Sequence, residues 1–282
     1  AEGVLAIDVN AATGEVFKDT LHAYTELEVQ GLQALYDTTP SQLVPWQELG
    51  APFPGHDSQI AAGTNYREHA EEVGHDGDPF LFPKLSQATA WNSEVGTGTR
   101  LDYEVELCAV PLKNHSESEP SPLGYLLCGD YTDRWLLVKH MDLGGEMGRT
   151  GFPIAKGGSG RLPIGPLLVI PHQETFYREL ELSLYANGTL RQKALAGSMI
   201  WQPREILAAA IADCRTPYQL RSGTAQIVVC EGIPAGTLVL TGTPGGVLFH
   251  LATLWNPWVY LGRGDVVVSF GTYLGYMRNT IV

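Results

Sequence analysis

The chain has 282 residues, of which 44% are hydrophobic and 17% are charged. This composition is typical of a chain that buries a core, and the length suits one large domain or one domain with a small appendage. The formal net charge of −13 argues against a nucleic-acid partner. No run of eighteen apolar residues occurs, so neither a membrane-spanning helix nor a membrane partner is expected.

The first 55 residues are predicted to form a small N-terminal α/β unit. Residues 4–9 favour a strand, and the apolar spacing of residues 25–36 favours a helix. A proline-rich stretch then ends at Gly55, which predicts a linker. We therefore expect a small unit over residues 1–55 and a catalytic domain over residues 56–282.

The four cysteines are scattered along the chain and form no CxxC pair. Cys108, Cys128 and Cys230 lie in apolar, strand-like runs, so they are expected to be small buried hydrophobic residues. A cytoplasmic location is the expectation. Because the chain begins at Ala1 rather than at methionine, a removed export signal stays open as an alternative.

Two glutamates stand two residues apart in segment 101–107, Leu-Asp-Tyr-Glu-Val-Glu-Leu. The alternation and the β-favouring side chains predict a strand with Glu104 and Glu106 on one face. Taken alone, this pattern also fits a solvated edge strand. Buried side by side, however, two carboxylates raise a pKa or require a cation.

A third acid, Asp130, ends the apolar run of residues 124–130. Three carboxylates contributed by strands, without cysteine or histidine, form the oxygen ligand set that Mg²⁺, Mn²⁺ or Ca²⁺ prefers. The sequence therefore predicts a divalent-metal site made by Glu104, Glu106 and Asp130.

Further positions are candidates for proton transfer or charge stabilisation. His69 and Glu72 are three residues apart in a segment with helical spacing, so a helix would place the carboxylate beside the imidazole, as a general base requires. An exposed pair on a charged helix is the alternative. Lys84 follows a proline at the end of an apolar run and points either into a site or into solvent. Lys156 precedes a glycine-rich turn, which either brings backbone close to a ligand or forms a surface loop.

Two turn signals lie in the second half of the chain. Asn187-Gly188, between alternating residues 180–185 and 190–193, predicts a β-hairpin. Residues 236–247 predict a strand that runs into a sharp turn, where Thr243 and the neighbouring amides could hold a carboxylate.

On these stretches the chain resembles the fumarylacetoacetate hydrolase superfamily. The resemblance implies an α+β fold, a mixed β-roll with few helices, and usually a homodimer. The motifs that carry it occur in the family's order and are residues 65–70 (Asn-Tyr-Arg-Glu-His-Ala), residues 101–107, residues 129–134 (Gly-Asp-Tyr-Thr-Asp-Arg), Lys156 ahead of residues 163–166 (Pro-Ile-Gly-Pro), and residues 241–247 (Thr-Gly-Thr-Pro-Gly-Gly-Val).

The resemblance also implies roles for individual residues. The three predicted metal ligands would hold the divalent cation, and His69 with Glu72 would form an acid–base dyad on a mobile lid. Lys156 would face the substrate, and Thr243 would contact a substrate carboxylate. The further candidates for substrate binding are Lys84, Arg134 and Gly242.

The chain departs from the family pattern after the third metal ligand. Where close relatives carry Arg-Asp-x-Gln, this chain has Arg134, Trp135, Leu136 and Leu137, and leucine cannot hydrogen-bond a substrate. We therefore expect a less polar pocket and a short or apolar 2-oxo or 2,4-dioxo acid as substrate. The alternative is that Leu137 only packs in the core.

The predicted function is a divalent-metal-dependent hydrolase or lyase that cleaves a C–C bond of a 2-oxo or 2,4-dioxo acid, such as an acylpyruvate or a fumarylacetoacetate-like substrate. Such an acid chelates a hard cation, which stabilises the enolate left when the bond breaks. The alternatives are an oxaloacetate-type decarboxylase, an isomerase or a hydratase of the same superfamily, or a non-catalytic metal-binding relative.

Overall fold

The computed structural model describes residues 2–250, 252–253 and 255–282. Short strands dominate and helices are few, so the predicted α+β class is confirmed. The helices are α1 (Val9–Thr13), α2 (Thr20–Thr38), α3 (Arg67–Val73), α4 (Arg134–His140), α5 (Phe152–Ala155) and α6 (Pro203–Ala212). The strands are β1 (Gly3–Ala6), β2 (Gln42–Pro45), β3 (Gln59–Gly63), β4 (Phe80–Lys84), β5 (Leu101–Asp102), β6 (Val105–Pro111), β7 (Leu123–Gly129), β8 (Thr132–Asp133), β9 (Glu181–Ala186), β10 (Thr189–Leu195), β11 (Tyr218–Gln219), β12 (Thr224–Ala225), β13 (Val239–Leu240), β14 (Val266–Gly271) and β15 (Gly275–Thr280).

A five-stranded mixed sheet forms the centre of the molecule, in the order β4-β3-β13-β6-β7. Strand β13 runs parallel to β3 and antiparallel to β6, and β6 pairs antiparallel with β7. Every residue of β6 and β7 is buried. Their apolar runs are therefore continuous rather than alternating, as expected for strands covered on both faces.

The segment 101–107 is not the single edge strand that its alternation also allowed. It breaks after Asp102 into β5, which pairs with β8, and β6, which lies inside the sheet between β13 and β7. Glu104 falls in the break, at 5% exposure, and Glu106 in β6, at 1%. The solvated alternative is wrong because both carboxylates face the interior.

A second sheet has four antiparallel strands in the order β10-β9-β14-β15. Its β9–β10 hairpin turns at Asn187 and Gly188, whose φ angles are 50° and 78°. Two positive φ angles are what a two-residue turn of this hand requires. The predicted hairpin is therefore confirmed.

The N-terminal residues form a two-stranded sheet of β1 and β2 with helices α1 and α2. The predicted strand over residues 4–9 ends early, because the Asp8 carboxylate accepts the Ala11 N–H at 3.0 Å and caps α1. Trp46 stacks on Tyr276, with ring centroids 4.8 Å apart. The division at residue 55 stays a prediction, and Ala1, on which the export-signal alternative rests, lies outside the described residues.

The cysteines form two disulfides, which corrects the prediction of unpaired hydrophobic side chains. Cys108 on β6 bonds to Cys128 on β7, and Cys214 bonds to Cys230. Cys230 is also exposed and lies outside any strand. The β6–β7 register places the first pair diagonally across the ladder, and Cα atoms 5.9 Å apart suit a bridge. Sequence spacing does not reveal such a register.

Across the described ranges, no helix is both long and apolar enough to cross a bilayer.

Candidate metal-dependent active site

Three carboxylates meet at one edge of the five-stranded sheet. Glu106 is the second residue of β6, Asp130 follows β7, and Glu104 lies just before β6. Because β6 and β7 are antiparallel, the start of one and the end of the other lie at the same edge. One oxygen from each carboxylate lies within 4.8 Å of the other two, and all three side chains are buried. The structure thus brings together the ligand set that the sequence predicted.

Buried cations hold two of these carboxylates. Lys156 Nζ lies 2.6 Å from Glu104 Oε2 and 2.8 Å from Asp130 Oδ2. Arg134 donates to Glu104 Oε1 at 2.7 Å. Burial alone would raise the pKa of Glu104, but Lys156 and Arg134 outweigh it and lower that pKa to about 2. Burial alone would lower the pKa of Lys156, whereas the Asp130 and Glu104 carboxylates raise it above its ordinary value.

Lys84 contacts the other carboxylate oxygen of Asp130. It is fully buried, and its Nζ contacts Asp130 Oδ1 at 2.5 Å and the Arg161 carbonyl oxygen at 2.9 Å. Burial lowers the pKa of Lys84 to about 8 despite the attraction of Asp130. The solvent-facing alternative is therefore wrong, and Lys84 lies behind Asp130 rather than on the wall of the cavity described below.

Glu106 differs from the other two ligands. Within the part of the chain that the structure describes, its carboxylate is bonded only by the Gly242 N–H, at 2.6 Å. Burial, followed by the nearby Asp130 and Glu104 carboxylates, raises the pKa of Glu106 well above its ordinary value. A divalent cation with oxygen ligands would relieve this repulsion, so the donor set fits Mg²⁺, Mn²⁺ or Ca²⁺.

The turn after β13 is shaped to reach Glu106. Gly242 has φ 90°, and a Cβ there would lie 2.8 Å from the Asn65 Cβ, so only glycine fits. Thr243 donates its hydroxyl to the Val105 carbonyl oxygen at 3.0 Å and accepts from Gln192 at 2.9 Å. The Thr243 hydroxyl therefore fixes the turn, while its side chain also lines the cavity.

His69 and Glu72 lie on α3, as their spacing predicted. His69 Nδ1 is 3.4 Å from Glu72 Oε2, and His69 is only 6% exposed, so the exposed-pair alternative is wrong. Glu72 also accepts the Gly246 N–H at 3.0 Å and lies 3.4 Å from His250 Nε2. Burial alone would raise the pKa of Glu72, but these hydrogen bonds and histidine charges lower it.

Two supporting residues were missed by the sequence analysis. Asp102 accepts from Arg134 Nε at 2.8 Å and from the Leu248 N–H at 2.9 Å, so it fixes the guanidinium that contacts Glu104. His250 contacts Glu72 from a distant part of the chain. The only local signal for Asp102 is its place two residues before Glu104, and His250 carries none.

A cavity of about 380 Å³ opens beside the carboxylates. Its polar surface includes the side chains of His69, Glu104, Arg134, Lys156 and Thr243. Much of the remaining wall is apolar and includes Val73, Phe80, Phe82, Leu137, Val138, Met141, Leu143, Met147, Phe152 and Phe249. A small anionic molecule bound at the carboxylate cluster would therefore have a proton acceptor, two cations and an apolar chamber within reach.

Comparison with known proteins identifies the family. Residues 58–282 match the sequence profile described as fumarylacetoacetate (FAA) hydrolase C-terminal. The chain is 28% identical over 249 residues to the oxaloacetate tautomerase YisK of Bacillus subtilis, a match covering 83% of this chain and 73% of that protein. It is 27% identical over 285 residues to the 2,4-didehydro-3-deoxy-L-rhamnonate hydrolase of a Sphingomonas species, covering 96% of this chain and 90% of that protein.

A solved structure shares the fold. The fumarylpyruvate hydrolase of Pseudomonas aeruginosa, solved in complex with Mn²⁺ and pyruvate, superposes with a TM-score of 0.61. The match covers 82% of this chain and 91% of that one at 24% identity. At this identity the likeness demonstrates a common architecture.

Proposed function

The chain belongs to the fumarylacetoacetate hydrolase family, whose members include hydrolases, isomerases and tautomerases, and on that premise we propose that it hydrolyses the C–C bond of an acylpyruvate-type 2,4-dioxo acid. One observation carries the proposal. Buried Glu104, Glu106 and Asp130 cluster at a cavity whose wall also presents His69 and Lys156.

The carboxylate cluster would hold Mg²⁺ or Mn²⁺. When bound, such an ion supplies a Lewis acid for the 1-carboxylate and 2-oxo oxygens of the substrate. The Mn²⁺ and pyruvate in the similar fumarylpyruvate hydrolase support this choice of ion and of oxo-acid head group. Lys84 would position Asp130, and Gly242 would position Glu106 through its N–H.

His69 is the proposed general base. Glu72 contacts Nδ1, whereas Nε2 has no hydrogen-bond partner among the described residues and would take a proton from water. The water oxygen bonds to the acyl carbonyl carbon, and the bond between that carbon and C3 breaks. Its electron pair passes to the pyruvate enolate, which takes a proton at C3. The products are pyruvate and a carboxylic acid.

Lys156 is the proposed donor to the oxyanion that forms at the acyl carbonyl. An ammonium carries three N–H donors, and two of those of Lys156 are directed at Glu104 and Asp130. The third is available to a substrate oxygen in the cavity. Arg134, held by Asp102, would orient the substrate from the α4 side.

Oxaloacetate tautomerisation is the second candidate, favoured by the 28% identity to the tautomerase YisK. It moves a proton between C3 and the 2-oxo oxygen and needs no attacking water. The same base and cation would serve that reaction, so the two candidates differ in the substrate and in whether a C–C bond breaks.

The test is an assay of the Mn²⁺-supplied protein with acylpyruvates and with oxaloacetate, before and after chelation. We expect equal amounts of pyruvate and carboxylic acid from acylpyruvates, and their loss on chelation. Interconversion of the enol and keto forms of oxaloacetate without acylpyruvate cleavage would support the tautomerase instead. Turnover of neither substrate would leave an isomerase or hydratase of the same superfamily, or a non-catalytic metal-binding relative.

A further inference from the structure

One face of α4 runs from the carboxylate cluster into the cavity. Arg134, Leu137 and Val138 on α4, and Met141 at its C-cap, follow the spacing i, i+3, i+4, i+7, and all four line the cavity. Arg134 contacts Glu104, whereas the three residues beyond it are apolar. At 1.5 Å per residue the face extends for about 10 Å. A ligand held at Glu104 therefore has a long apolar wall beside it.

An aromatic cluster of Phe80, Phe82 and Phe152 forms another part of the wall. It begins at the reacting end, where Lys156 Nζ lies 5.6 Å from the centroid of the Phe82 ring. Phe152 follows, 5.2 Å from Phe82 and 4.8 Å from Phe80 between centroids. The cluster thus continues the apolar surface away from Lys156.

The loop of residues 142–150 adds two apolar side chains, Leu143 and Met147, to the lining. Leu143 is 92% exposed and Met147 is 36% exposed, so both lie at the mouth. The loop is closed at its base, where the Asp142 N–H donates to Thr150 Oγ1 at 2.7 Å. Apolar side chains held at a cavity mouth are suited to contact an apolar ligand.

Among the described residues of the lining, the lysine and arginine cations lie at the carboxylate end of the cavity. Arg134 contacts Asp102 and Glu104, and Lys156 contacts Glu104 and Asp130, so neither lies beside the distal end of a substrate. His75, the polar side chain near Phe80, has Nε2 3.0 Å from the Asp78 carbonyl oxygen. A carboxylate at the distal end of a substrate would lose water without gaining an ionic partner.

We propose that the substrate carries an apolar acyl tail and no second carboxylate, and that α4, the phenylalanine cluster and the 142–150 loop bind this tail. The inference rests on the proposed acylpyruvate hydrolysis and adds its substrate class. Leu137, which is buried in the core and also lines the cavity, would be part of this tail site.

The test compares hexanoylpyruvate with adipoylpyruvate, which has the same number of carbons but ends in a carboxylate. We expect kcat/KM to be roughly 10- to 100-fold higher for hexanoylpyruvate, because a buried ion without a partner is strongly rejected. Equal values, or faster turnover of adipoylpyruvate, would overturn the inference.

Val138→Arg provides a gain-of-function test. Val138 is 37% exposed, so the chain can fold around a longer side chain there. A new guanidinium at the tail site should reduce the preference for hexanoylpyruvate about tenfold or more. The control is Lys139→Ala on the same helix, because Lys139 is exposed and outside the lining. An unchanged preference in Val138→Arg would contradict the placement of the tail.

A binding measurement separates this inference from the proposed reaction. Calorimetry would compare 2-oxooctanoate with its dicarboxylate counterpart 2-oxosuberate, neither of which has an acyl bond to cleave. Tighter binding of 2-oxooctanoate without cleavage of any acylpyruvate would sustain the tail site and refute the hydrolase. Cleavage of acylpyruvates together with tighter binding of 2-oxosuberate would support the hydrolase and refute the apolar tail site.

Discussion

His69 is the residue whose replacement separates proton transfer from metal binding. It contacts Glu72, lines the cavity and is not one of the three clustered carboxylates. His69→Asn should therefore lower kcat roughly 10²- to 10⁴-fold, the usual contribution of a general base, and leave Mn²⁺ affinity unchanged. Steady-state kinetics and calorimetry measure the two effects.

The matched control is His172→Asn, at an exposed histidine outside the cavity, which should leave kcat unchanged. Full turnover in His69→Asn would remove this histidine from the mechanism, whereas loss of Mn²⁺ binding in the same variant would assign it to the metal site.

The residues that the sequence indicated well are those with a local signal. Glu104 and Glu106 stood out by their two-residue spacing, and Asp130 by its place after an apolar run. The contact of Lys84 with Asp130 and that of His250 with Glu72 had no such signal, because each joins residues far apart in the chain. Such pairs depend on how strands and turns meet, which single-residue patterns do not contain.

At the scale of elements, the ion pair between Arg149 and Asp213 holds the 142–150 loop in place. Arg149 donates to both Asp213 oxygens, at 2.5 and 2.9 Å, and so ties the loop to the end of α6. Asp213→Asn should speed amide exchange across residues 142–150 on the order of tenfold, since hydrogen bonds to charged groups stabilise by more than neutral ones.

Glu146→Gln is the control for this loop, because Glu146 contacts the same arginine from a 70% exposed position where ion pairs contribute little.

The contact between Arg149 and Asp213 should also depend on pH. Burial alone would raise the pKa of Asp213, but Arg149, Thr216 and Tyr218 lower it. The ionised Asp213 carboxylate stabilises the folded protein fully above the ordinary carboxyl pKa of about 3.9. This stabilisation is lost as the pH falls through the lower pKa that Asp213 has in the folded protein. Equal amide exchange across residues 142–150 in Asp213→Asn and Glu146→Gln at neutral pH would contradict the role of the Arg149–Asp213 ion pair.

The disulfide between Cys214 and Cys230 is predicted to stabilise the fold. It closes a separation of 16 residues, for which the chain-entropy estimate is about 3 kcal/mol. Urea unfolding of the double variant Cys214→Ser with Cys230→Ser should give a free energy of unfolding lower by about that amount. An unchanged free energy would mean that the bridge does not constrain the unfolded chain.

Local patterns predicted some elements and missed others. The Asn187-Gly188 hairpin was predictable because the turn chemistry and the flanking alternation agree. The strand expected over residues 236–247 contracts to the two residues of β13, because the turn at Gly242 bends toward Glu106. The disulfides escaped prediction because they depend on long-range pairing.

At the scale of the whole molecule, we predict a homodimer. Trp255 and Trp258 are 75% and 92% exposed, so they do not pack in the core. Large exposed aromatic side chains are typical of interfaces. Light scattering should give twice the chain mass at micromolar concentration, and Trp258→Glu should lower it towards one chain. A single-chain mass for the natural protein would refute the dimer.

The disulfides also bear on where the protein acts. Bridges of this kind persist in oxidising compartments and in some hyperthermophiles. Two of them in one chain weigh against the cytoplasmic expectation, which stays a prediction.

The metal site is tested most directly by a calorimetric titration of Mn²⁺ into the metal-free protein. We expect one site per chain, weakened roughly 100-fold by Glu106→Gln, because that variant removes the carboxylate that lacks a cationic partner among the described residues. Glu146→Gln, at an exposed glutamate, should bind Mn²⁺ like the natural chain. Absence of binding to the natural protein, or equal binding by Glu106→Gln, would contradict the predicted metal site.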